Sequence, residues 1–194
     1  MSSRCVCARK QVASSQAHAE DFLSKIGALA KKGQVSAIVQ GMLQYPGREN
    51  VQEAACGALR GLTVNADNQV KVAAEGGIRA ILGAMQGHPA SAQVQEQACG
   101  ALRNVAVNAD NKVKVAAEGG IRAILGAMQG HPASAGLQEA ACLALWNLAV
   151  NADNQVKVKS AGAEDAVKRA MALKDASAKT KEWGAKLLDK LKKV

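Results

Sequence analysis

The stretch Val51-Gln52-Glu53 recurs at Val94-Gln95-Glu96 and again at Leu137-Gln138-Glu139, each time 43 residues on. Residues 51–93 and 94–136 align without a gap and agree at 37 of 43 positions. The six differences are Ala54/Gln97, Gly61/Asn104, Leu62/Val105, Thr63/Ala106, Gln69/Lys112 and Gln93/Gly136. A unit of this length buries too little apolar surface to fold alone, so copies must stack and share one continuous core. A period of about 40–47 residues built from helices is the period of stacked-helix solenoids.

Each unit reads as three helical pieces. A short one, Asp67 to Glu75, stops at Gly76-Gly77, where a left-handed residue can close it. A second, Ile78 to Gln86, carries Ile78, Ile81, Leu82 and Met85 at helical spacing and stops at Gly87-His88-Pro89. A third, Val94 to Val107, has Val94, Ala98, Leu102 and Val105 as its buried stripe, with Cys99 and Ala101 beside it. Apolar residues never alternate with polar ones over a strand length, so the fold class is all-α. The same step extends outward more weakly: Val35, Ala37, Ile38 and Met42 fall opposite Ile78, Ala80, Ile81 and Met85, and Leu188 and Leu191 opposite Leu145 and Leu148. About four stacked repeats result, with divergent terminal caps that must meet water.

The aromatic content of 2% fits this arrangement. Helices with Ala, Gly and Cys at their contacts approach closely, toward the short end of the roughly 8–10 Å range. Sandwiches and base-stacking sheets, which rest on aromatic anchors, are poor candidates. The formal charge of +9 is not spread along the repeats. Residues 1–12 carry Arg4, Arg9 and Lys10, residues 157–194 carry eleven basic and five acidic groups, and the body between is balanced. A continuous phosphate-binding track is therefore not built into the repeated part, and nucleic acid is disfavoured as a partner.

The run VQEQACGALRNVAVNADNKVKVAAEGGIRAILGAMQ resembles an armadillo repeat, and the resemblance covers roughly residues 22–194. The step Leu102-Arg103-Asn104 is also similar to third helices of the beta-catenin group. The resemblance implies a right-handed alpha-alpha superhelix whose third helices line a concave groove, with no enzyme site and no cofactor. Importin-alpha members of the family grip extended peptides with a ladder of Asn and Trp on those helices. The Asn position corresponds here to Gly61, Asn104 and Asn147, the Trp position to Gly57, Gly100 and Leu143, and the intervening position to Arg60, Arg103 and Trp146. The Asn ladder is thus partly present and the Trp ladder absent, which sets nuclear-signal recognition aside. Arg60 and Arg103 present forks suited to carboxylate or phosphate. Glu53, Glu96 and Glu139 lie earlier on the same helices and either join the binding face or pair with those arginines. Asn104→Ala with Asn147→Ala is expected to weaken partner binding and leave the fold intact.

The layout expected is a flexible basic tail over 1–18, a capping repeat over 19–50, repeats over 51–93, 94–136 and 137–179, and a capping helix over 180–194. The last helix places Trp183, Leu187, Leu188, Leu191 and Val194 on one face and lysines on the other. A cap reads better than a calmodulin- or membrane-binding helix, since the repeat register runs on. His88 and His131 sit in equivalent loops, too far apart to converge on a metal. Cys56, Cys99 and Cys142 read as small buried fillers with no base beside them. Cys5 and Cys7, among basic residues, are lipidation candidates for membrane association through the tail, with Ser2 setting N-myristoylation aside. Five cysteines and no apolar signal segment favour cytoplasm or nucleus. The function expected is a non-enzymatic scaffold binding an extended peptide or protein. The alternatives are a membrane- or nucleic-acid-associated adaptor acting through the basic termini, or an engineered, ancestral or truncated array with no dedicated partner. Self-association through the first unit stays open.

Overall fold

The structure, a computed structural model, describes the backbone from Ser3 to Val194 and side chains from Gln16 onward. The described residues form twelve helices and no strand. They are α1 (Ser3–Lys31), α2 (Val35–Gln44), α3 (Glu49–Leu62), α4 (Ala66–Ala74), α5 (Gly77–Gly87), α6 (Ala92–Val105), α7 (Ala109–Ala117), α8 (Gly120–Gly130), α9 (Ala135–Ala149), α10 (Ala152–Ser160), α11 (Ala163–Met171) and α12 (Ala178–Leu191). Three units of short, second and third helix follow one another: α4–α5–α6, α7–α8–α9 and α10–α11–α12. Ahead of them α1 stands in for the short helix, with α2 and α3 behind it. The third helices α3, α6, α9 and α12 each pack on the next as a continuous layer, and the second helices do so less closely.

The short helices start where Asn65 and Asn108 each turn their side-chain oxygen onto two backbone N–H groups of the first turn. Asn151 does the same for one N–H of α10. This satisfies donors that have no partner within the helix. They end at Gly76, Gly119 and Gly162, with φ of 77°, 88° and 79°. Side chains are strained at such angles. The following Gly77 and Gly120 are required for a second reason. A Cβ there would sit 2.8 Å from the Val72 carbonyl oxygen and 2.7 Å from that of Val115.

The core is the expected stripe. Val94, Ala98, Cys99, Leu102 and Val105 are fully buried, and so are Leu137, Ala141, Cys142, Leu145 and Leu148 one unit on. Burial pushes the thiols of Cys56, Cys99 and Cys142 up to about 12, which leaves them protonated and inert.

Polar side chains fix the stacking register. Gln52, Gln95 and Gln138 are buried, and each donates from Nε2 to two carbonyl oxygens at the C-terminal end of the second helix, one in its last turn and one at its cap. The acceptors are Met42 and Tyr45, Met85 and His88, and Met128 and His131, at 2.7–3.0 Å. Between units, Asn111 Nδ2 donates to the Gln69 oxygen at 2.9 Å and Asn154 Nδ2 to the Lys112 oxygen at 3.0 Å. His88 Nε2 bonds the Pro46 oxygen at 2.8 Å and His131 Nε2 that of Pro89 at 2.9 Å. The two loop histidines therefore clip successive units together. Many of these acceptors are last-turn carbonyls that a helix cannot satisfy by itself.

Two terminal details differ from the sequence expectation. Helix α1 begins at Ser3, so most of the segment expected as a flexible tail is helical. It contains no Pro or Gly before Gly27 to break it. The side chains of Cys5 and Cys7 lie outside the described residues. At the other end Val194 lies beyond α12 and is exposed, off the apolar face that Leu187 and Leu191 bury. No described helix is long and apolar enough to cross a membrane.

Candidate binding face

Glu53, Arg60, Glu96, Arg103, Asn104, Glu139, Trp146 and Asn147 all lie half-buried on the accessible side of the third-helix layer. The 43-residue register places them in rows across α3, α6 and α9.

The asparagine row is partly committed to the scaffold. Asn104 Nδ2 donates to the Arg60 carbonyl oxygen at 2.8 Å, and Asn147 Nδ2 to that of Arg103 at 2.8 Å. Both acceptors are in the last turn of the preceding third helix, where they lack a helical partner. One amide donor of each Asn is therefore spent before any peptide arrives. Replacing either one therefore costs the fold a bond between units. At the end of the row the equivalent residue is Lys190, whose Nζ lies 5.7 Å from the Trp146 ring centroid.

The vacant tryptophan position is filled by arginine. A Cβ on Gly100 would sit 2.6 Å from Arg60 Cδ, so the Arg60 stem lies in the groove that the glycine leaves open. Its Nη1 donates to Gln97 Oε1 at 3.3 Å. Arg103 donates from Nε to Asn104 Oδ1 at 3.1 Å. Burial first, then the like charge of Arg60, hold the Arg103 guanidinium below its ordinary value, while Glu139 acts the other way.

The glutamate row does not neutralise these arginines. Among the described residues neither Arg60 nor Arg103 has a carboxylate within 4.0 Å. Glu96 and Glu139 reach forward instead. A Cβ on Gly136 would sit 2.6 Å from Glu96 Oε2, which puts that carboxylate at the first turn of α9. Glu139 Oε2 accepts from Ser177 Oγ, the N-cap of α12, at 2.6 Å. Negative charge is favoured at a helix N-terminus, so these acids serve the next helix.

The layer continues onto α12, the helix expected to cap the stack. Trp146 and Trp183 pack with ring centroids 5.5 Å apart and planes tilted by 51°. Lys186 Nζ lies 4.1 Å from the Trp183 ring centroid. Trp183, Lys186 and Lys190 thus join the face. The repeat held the signal: Trp183 follows Trp146 by the 37 residues that separate Gln97 from Arg60. The apolar side of α12 is spent inward, with Leu187 and Leu191 fully buried, and Lys186 also pairs with Glu182 at 2.6 Å.

Stacked three-helix units, closed by glycine and joined through their third helices, define an armadillo-type solenoid. A family of repeats described as the LRRK2 ARM repeat matches residues 30–182, and the chain belongs to that family. No curated protein matches it. Armadillo-like folds commonly mediate protein binding, and scaffolds of this kind are typically non-catalytic.

Proposed function

We propose that this protein is a non-enzymatic scaffold that binds an extended peptide or protein segment along a concave face made by α3, α6, α9 and α12. The observation that carries the reading is the state of the two arginines. They stand half-buried on adjacent helices, with no carboxylate of the described residues within 4.0 Å, while Glu96 and Glu139 are turned to α9 and α12. A guanidinium so placed gains most from an anionic partner. The preferred segment is extended and carries carboxylates opposite Arg60 and Arg103. An apolar or aromatic residue would rest beside the Trp146–Trp183 pair. The second N–H of Asn104 and of Asn147 is the donor suited to the segment's backbone carbonyls.

The C-terminal basic end does not favour an adaptor for membrane or nucleic acid, and the side chains of Arg4, Arg9 and Lys10 lie outside the described residues. The apolar face of α12 is already buried, and Lys186 and Lys193 pair with Glu182 and Asp189. Selection from a random peptide library tests the reading. Enriched sequences should be acidic, and their affinity should fall at least about tenfold with Arg60→Glu and Arg103→Glu together. Equal binding by that variant, folded by circular dichroism, overturns it.

A further inference from the structure

The outer edge of the stack holds a second feature, set by the same 43-residue step. At the first junction Ser36 Oγ donates to Glu75 Oε2 at 2.6 Å. At the second, the equivalent residues are Arg79 and Glu118, and Arg79 Nε lies 3.6 Å from Glu118 Oε1. At the third, the equivalents are Arg122 and Ala161. The cation is kept and the acid is gone. Where the carboxylate would reach, a cleft of about 490 Å³ opens between α7, α8 and α10. Arg122, Lys157, Ser160, Ala161, Gly119 and Ile121 line it, and no acidic residue does. Among the described residues neither Arg122 nor Lys157 has an ion-pair partner within 4.0 Å.

We infer that this cleft is an oxyanion site that takes a phosphate group in place of the missing carboxylate. The charge argument chooses phosphate. The lost glutamate carried one negative charge, but the cleft offers two cations, so a group of nearly two negative charges matches it better. Arg122 supplies a planar fork for two phosphate oxygens and Lys157 a mobile point charge for the third. Loss of the side chain at Ala161 supplies the room. The site is separate from the third-helix face and does not depend on it.

The test is a titration of the full-length 15N-labelled chain with inorganic phosphate and, separately, with O-phosphoserine, each against sodium chloride at matched ionic strength. Saturable amide shifts are expected over residues 119–122 and 157–161, in the millimolar range that two solvent-screened charges provide, and none over residues 76–79, where Glu118 already occupies the place. Tighter binding of O-phosphoserine marks a phosphorylated side chain as the source, and equal or tighter binding of inorganic phosphate marks the free ion. Arg122→Gln should weaken binding at least about tenfold. Ala161→Glu should rebuild the clip and block the site while the remaining spectrum stays in place. Shifts that fail to saturate, that chloride reproduces, or that persist unchanged in folded Arg122→Gln and Ala161→Glu overturn the inference.

Discussion

Asn104 Nδ2 donates to the carbonyl oxygen of Arg60 at 2.8 Å, across the boundary between two repeats. The bond joins a side chain on one third helix to a last-turn carbonyl on the one before, which also accepts from Thr63 Oγ1 at 3.2 Å, and Asn147 repeats it on Arg103, where Ala106 offers no hydroxyl. Removing the Asn147 donor leaves the Arg103 carbonyl unsatisfied, whereas Arg60 keeps the Thr63 hydroxyl. Asn147→Ala should therefore cost about 1–3 kcal/mol of stability, and Asn104→Ala less. Guanidinium unfolding of the single and double variants checks this. A double variant as stable as the parent would remove the clip from the account.

The N-terminal helix is held by an aromatic plug. A Cβ on Gly41 of α2 would collide with the Cζ edge of the Phe22 ring on α1, which itself packs on Tyr45 at a centroid distance of 5.9 Å. Gly41→Ala should displace Phe22 and cost about 1–3 kcal/mol, more than the roughly 1 kcal/mol that Ala gains over Gly in a helix. Hydrogen exchange should then quicken in α1 and α2 and stay slow in α9. Gly100→Ala is the contrast, because its Cβ meets only the far end of Arg60, which can swing away. That variant should be near neutral in stability.

The three core thiols make stability fall at high pH. Their folded values, pushed up by burial to about 12, lie above the ordinary 9.0. Below pH 9 both states are protonated and the contribution is whole. Above it the unfolded chain loses its thiol protons first, so stability declines until the folded value near 12 is reached, by up to about 1.4 kcal/mol per pH unit for each thiol. A Cys5→Ser, Cys7→Ser variant should resist thiol labelling at pH 8 while folded and take up three labels in denaturant. Fast labelling of the folded protein would contradict the burial.

Both tryptophans of the chain belong to one pair, Trp146 with Trp183. Near-ultraviolet dichroism thus reports the junction of α9 and α12. Trp183→Ala should abolish most of that signal and cost about 0.5–1.5 kcal/mol beyond the lost burial. Calorimetric and dichroic melts of the variant and the parent give the comparison.

The repeat period carried most of the fold. Its step placed the third-helix core at Val94, Ala98, Leu102 and Val105 and the helix stops at Gly76-Gly77, because glycine, proline and helical spacing are local signals. The rows of the proposed binding face were legible by register, including Arg60, Arg103, Asn104 and Trp146. Their partners were not, since each partner lies one unit away. The identity of Gly100 does not say that Arg60 will fill the space above it. Nor does Glu139 reveal that it will cap α12 through Ser177 when Arg103 stands as near in sequence. The basic composition of α12 suggested a cap or a membrane helix, and the aromatic pair that adds it to the face became visible only once α9 and α12 were packed together.

The central claim is that α3, α6, α9 and α12 form the binding face. Hydrogen-exchange mass spectrometry of the full chain with and without its library-selected peptide tests it most directly. The account predicts new protection over residues 53–61, 96–104, 139–147 and 182–190, lost in the Arg60→Glu, Arg103→Glu variant. Protection confined to α5, α8 and α11, with the third helices unchanged, would contradict it.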